Sequence, residues 1–100
     1  MSTFVRGDTS IYYEEYGEGS PILLIAPGGM KSTIDAWAMA PWNPIDVLKE
    51  SFHVIAMDQR NAGRSFGTIH REHGWHTYTN DQLELMDHLG IDHFMVAGMC

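Results

Sequence analysis

A single cysteine, Cys100, stands in a sequence of 100 residues. It cannot form an internal disulfide, so no covalent staple is expected, which fits a reducing cytoplasm. Cations are scarce too: six Lys and Arg against thirteen Asp and Glu give a net charge of −7. Such a chain repels phosphate backbones, which argues against nucleic acid as a partner. No apolar run nears the ~20 residues of a membrane span, so a membrane is not an expected partner either. Residues Met1 to Ser10 do not pair a basic stretch with an apolar one, as a secretory signal would. Internal repeats, low-complexity tracts and blocks of like charge are also missing. What is left is 44% hydrophobic, 19% charged and 11% aromatic. That balance excludes a disordered tail, collagen and a disulfide-dense scaffold, and the length by itself predicts one small domain.

The order of elements is informative. Thr3–Arg6 and Ser10–Tyr16 are β-prone and separated by Gly7-Asp8, a two-residue turn signal, so a hairpin is expected. Gly17 to Pro21 breaks the chain. Ile22–Ala26, Phe52–Met57 and Phe94–Ala97 are short apolar runs without alternation, as in parallel strands buried on both faces. Asn43 can cap a short helix with Pro44 at its first position, Ile45 and Leu48 then facing inward. Thr79 and Gln82 form a capping box for a second helix carrying Leu83, Met86 and Leu89, with Gly90 as its left-handed stop. Buried strands alternating with helical intervals predict an α/β, doubly wound and mostly parallel sheet.

In such sheets ligands bind beyond the carboxyl ends of the strands, which directs attention to the residues just after each run. Pro27-Gly28-Gly29-Met30 succeeds the first. Glycines punctuate loops, so alone the pair reads first as a tight strand-to-helix turn; the functional alternative is a set of N–H donors for a carbonyl oxygen that becomes negative. Asp58-Gln59-Arg60-Asn61-Ala62-Gly63-Arg64-Ser65 comes after the second run. Its charges could bind substrate, but an ion-paired turn that holds loops together is the expected role of Asp58, Arg60, Gly63 and Ser65. Gly98-Met99-Cys100 comes after the third. Alone, the cysteine reads as buried and inert; alternatively it is a nucleophile on a sharp strand-to-helix turn, with Gly98 relieving crowding.

The remaining features point less sharply. His70, His73 and His76 recur every three residues, yet no CxxC or HExxH pattern accompanies them, and no metal site is expected. His53, His88 and His93 read as structural or exposed. Trp37 and Trp42, with Met30, either line an apolar pocket or pack in the core. Tyr12, Tyr13 and Tyr16 are expected to pack in the hairpin.

Taken jointly and in order, these pieces resemble the α/β-hydrolase superfamily, especially the branch of prolyl iminopeptidases, C–C bond hydrolases and small esterases. The resemblance runs from Ile11 to Cys100, and its most specific part is the D-x-R-x-x-G-x-S stretch at Asp58–Ser65; the family often has glycine where Asn61 stands. Leu89-Gly90-Ile91-Asp92 is also typical. The resemblance implies Cys100 as nucleophile and Gly29, with Met30 beside it, at the oxyanion hole. It implies a hydrolase or acyl-transfer enzyme acting on a small ester, thioester, amide or activated carbonyl, with no cofactor. Two departures are visible: Pro27 where many relatives carry histidine, and cysteine in place of the commoner serine, natural or substituted. The family sets its catalytic acid and histidine after the nucleophile. Residues 1–100 are therefore expected to be the N-terminal part of one α/β-hydrolase domain, whose remainder lies on the same polypeptide or a complementing chain. A non-catalytic ligand-binding or complementing subunit of the same fold is the alternative.

Overall fold

A computed structural model of the chain describes residues 2–27, 31–39, 43–67 and 75–98. The expected hairpin forms first: β1 (Ser2–Arg6) and β2 (Thr9–Tyr16) pair antiparallel around Gly7-Asp8, with Arg6 opposite Thr9. Three strands come next in the chain, β3 (Ser20–Ile25), β4 (Phe52–Met57) and β5 (Met95–Gly98). The sheet runs β1-β2-β4-β3-β5. β2 lies antiparallel to β4, whereas β3 is parallel to both β4 and β5. All three parallel strands thus end on the same side of the sheet.

Alternation along the strands sorts side chains onto two faces. On one, Ile22, Leu24, Ala26, Val54 and Ala56 pack with Ile34 and Trp37 of a 3₁₀ stretch (Ile34–Met39) and with Ile45 of helix α1 (Pro44–Leu48). On the other, Ile11, Tyr13, Leu23, Ile55 and Met57 pack with Leu85 and Met86 of helix α2 (Trp75–His88). Each fully buried aliphatic side chain contributes about 1.5–3 kcal/mol, so the two layers hold the strands from both sides. The tyrosines divide accordingly, Tyr13 to the second face and Tyr12 and Tyr16 to the first.

The helix ends obey local chemistry. Asn43 caps α1 by accepting from Ile45 N at 3.0 Å, with Pro44 at the first helical position. At the other end of α2, Gly90 has φ +73°. Gly90 N donates to Asp87 O at 3.0 Å and Ile91 N to Met86 O at 2.9 Å. Those two bonds make a Schellman stop, which needs the left-handed conformation that glycine adopts without strain.

Two expectations are corrected. α2 begins at Trp75, so Thr79 and Gln82 lie inside it and form no capping box, and Leu83 is 49% exposed. Its buried stripe is Thr77, Asp81, Leu85 and Met86. Met86 is buried and Leu89 packs against the same layer as expected, but two members of the stripe are polar, which is why a purely apolar reading started the helix late and counted Leu83 among the inward residues. β5 is the second departure: Met95 and Val96 are 47% and 59% exposed rather than buried on both faces. β5 is the edge strand, and no described element lies beyond it.

Candidate active site

The parallel strands bring three strand ends together. In register, Ile25 of β3 lies opposite Gly98 of β5, and Leu24 lies opposite both Ala56 of β4 and Ala97 of β5. Neighbouring strands are ~4.8 Å apart, so the segments leaving β3, β4 and β5 start side by side. The β3 segment leads to the glycine turn and the β5 segment to Cys100. Gly28, Gly29, Met30, Trp42, Met99 and Cys100 lie outside the described residues, as do His70 and His73.

A Cβ added at Gly98 would sit 3.4 Å from Ile25 O, an ordinary contact. The described neighbours therefore do not require glycine there on grounds of space.

The segment after β4 is built around Asp58, whose side chain is fully buried. Its Oδ1 accepts from Ile34 N at 2.7 Å, and its Oδ2 accepts from Arg64 N at 2.9 Å and Arg64 Nε at 3.2 Å. A buried carboxylate is costly unless its lone pairs are met by donors, and here both loops supply them. Gly63 has φ +52°, and a Cβ on it would lie 2.5 Å from Asp58 Oδ2 and 2.9 Å from Thr33 Cγ2. Glycine is thus required both by conformation and by the close approach of the carboxylate.

Ser65 explains itself equally well. Its Oγ donates to Asp58 O at 2.6 Å and accepts from Tyr12 N at 2.9 Å, while Asp58 N donates to Tyr12 O at 3.0 Å. One residue further, Phe66 and Ser10 exchange two backbone hydrogen bonds of 2.7 Å each. The loop after β4 is thereby laced to the hairpin. Arg60 turns the other way, onto α2, where Nε and Nη2 reach Asp81 Oδ2 and Oδ1 at 2.8 and 2.7 Å. The hydrogen bond to Asp81 is the main reason its guanidinium holds its proton even more tightly than usual. Asp58, Arg60, Gly63 and Ser65 thus serve as braces in the structure.

Sequence reasoning missed two groups. Ser32, 1% exposed, donates to Ala26 O at 2.6 Å, and Ser32 O accepts from Gln59 N at 3.0 Å. Beside the Asp58 loop, Glu14 is a buried acid on β2 that accepts from Tyr12 Oη at 2.6 Å and from Tyr16 Oη. Arg64 stacks over the Tyr12 ring at 3.9 Å and its Nη2 lies 3.4 Å from Asp35 Oδ1. Burial pushes the Glu14 carboxyl up, but the two phenol hydrogen bonds and the Arg64 charge outweigh it and hold the group below its usual range. The only signal for this cluster was the period-two spacing of Tyr12, Glu14 and Tyr16, which sets them on one face.

Trp37 is 3% exposed and sits in the first core layer, and its Nε1 finds no hydrogen-bond partner among the described residues. It works there by packing. His76 is exposed, His53 Nε2 pairs with Glu15 Oε1 at 2.9 Å, and the His88 ring lies 4.8 Å from that of Phe4. Among the described residues no group of His, Cys, Asp and Glu could hold a metal ion, and no helix is long and apolar enough to cross a membrane.

No family model matches the chain. Solved structures do. An alpha/beta hydrolase from Sphaerobacter thermophilus DSM 20745 is 27% identical with a TM-score of 0.79, over 98% of this chain and 35% of that one. A Pseudomonas aeruginosa protein described as a candidate epoxide hydrolase is also 27% identical with a TM-score of 0.79, over 97% of this chain and 31% of that one. The enol-lactonase from Burkholderia xenovorans LB400, 24% identical, shares the fold with a TM-score of 0.82, over 98% of this chain and 36% of its own. The chain therefore spans about a third of the length of these neighbours. A chain that matches such hydrolases along nearly all of its own length belongs to the α/β-hydrolase superfamily, and its mixed sheet with an antiparallel hairpin is the N-terminal portion of that fold.

Proposed function

We propose that these residues form the first part of a hydrolase or acyl-transfer enzyme in which Cys100 is the nucleophile. The reading is carried by one observation, the register of Ile25 beside Gly98 at parallel strand ends. It starts the segments that lead to the glycine turn and to Cys100 from adjacent positions. In this reading the Cys100 thiolate attacks the carbonyl carbon of a small ester, thioester, amide or activated carbonyl compound. The carbonyl π electrons move to oxygen, where N–H donors at Gly29 and Met30 hold the negative charge, each such donor being worth about 3 kcal/mol. Collapse of that intermediate breaks the bond to the leaving group, which takes up a proton from a histidine. The same histidine then draws a proton from water or an alcohol, which attacks the thioester and frees Cys100.

That histidine and its acid partner come from outside these 100 residues, from the rest of the same domain, and no cofactor takes part. The neighbours, of which the chain spans about a third, leave room for such groups. Trp42 contributes to an apolar rim, whereas Trp37 is buried in the first core layer and takes no part in it.

The test is pre-steady-state hydrolysis of p-nitrophenyl acetate by the full-length protein. A nitrophenol burst stoichiometric with enzyme is expected, and Cys100→Ala should abolish it. An unchanged burst in that variant refutes the nucleophile assignment.

A further inference from the structure

We draw no further inference here: the strongest candidate, the apolar surface at the β5 edge of the sheet where Met95 and Val96 stand exposed on opposite faces of the strand, carries nothing because nothing among the described residues shows what covers it.

Discussion

Arg60 and Asp81 meet through two parallel hydrogen bonds, Nε to Oδ2 at 2.8 Å and Nη2 to Oδ1 at 2.7 Å, with side chains 8% and 0% exposed. One comes from the loop after β4 and the other from α2, so the pair joins the strand-end loop to the helix behind the sheet. Arg6 of β1 adds a third bond, Nη2 to Asp81 Oδ1 at 3.1 Å, and also pairs with Glu84. Three elements distant in sequence thus converge on one buried carboxylate. The planar guanidinium suits this arrangement because its fork matches both carboxylate oxygens at once.

Removing one partner from that pair should be far worse than removing both. Asp81→Ala takes from a buried guanidinium the carboxylate that meets it through two hydrogen bonds, and a loss of about 3–5 kcal/mol is expected. The double variant Arg60→Met with Asp81→Leu replaces both charges by apolar groups and should recover most of the loss. Urea unfolding of the two single variants and the double one gives the coupling directly. Additivity within about 0.5 kcal/mol would show that the two residues do not depend on each other.

Asn61 illustrates a departure from a family pattern that the structure accounts for. Its φ is +62°, the one non-glycine residue with positive φ among those described. A glycine there would adopt that conformation without strain; asparagine tolerates it better than most other residues. Here the side chain also gains a bond, Oδ1 accepting from Gly67 N at 2.9 Å. Asn61→Ala should therefore lower stability by about 1–3 kcal/mol, adding left-handed strain to a lost acceptor. Asn61→Gly should change it by less than about 1 kcal/mol, because easier backbone geometry offsets the missing bond. Thermal melts of both variants decide; equal losses in the two would remove backbone strain from the account.

These cases mark what the sequence could and could not disclose. β4 was legible to the residue, since Phe52–Met57 is apolar except for His53 and both faces of its Val54–Met57 part are covered. The bracing role of Asp58 and Ser65 was legible as a pattern but not as a wiring, because their partners Ile34, Arg64 and Tyr12 depend on how the loops pass each other. Ser32 carried almost no signal. A serine after a glycine turn is commonplace, and its bond to Ala26 exists only once the turn has closed. Glu14 runs against the usual pattern: a charged residue in a strand normally marks the solvent face, yet this one is buried, with tyrosines on the same face donating to it. Polar burial of this kind, in Thr77 and Asp81 as well as Glu14, leaves no trace in hydrophobic periodicity.

The Glu14 cluster predicts an alkaline signature. The hydrogen bond to Glu14, strengthened by burial and by the charge of that carboxylate, pushes Tyr16 up from 10.0 to about 12. Tyr12 is raised as well, chiefly by its own bond to Glu14. In the unfolded chain Tyr16 loses its proton near the ordinary value, whereas the folded chain keeps it. The folded state therefore binds more protons across that window, and stability falls as pH rises through it. The contribution is fully present below pH 10.0 and is lost progressively towards about 12. Glu14 has the reverse sense, since its depressed carboxyl stabilises the fold above its unfolded value and stops doing so as acid protonates the folded carboxylate. Phenolate absorbance should show Tyr16 titrating later than an exposed tyrosine, and the urea midpoint should decline over the same alkaline range. Glu14→Gln should return Tyr16 towards 10.0 and flatten that part of the decline, since an amide oxygen accepts a hydrogen bond without repelling a phenolate. A Tyr16 titration that Glu14→Gln leaves in place would show that burial, and not the carboxylate, holds the proton.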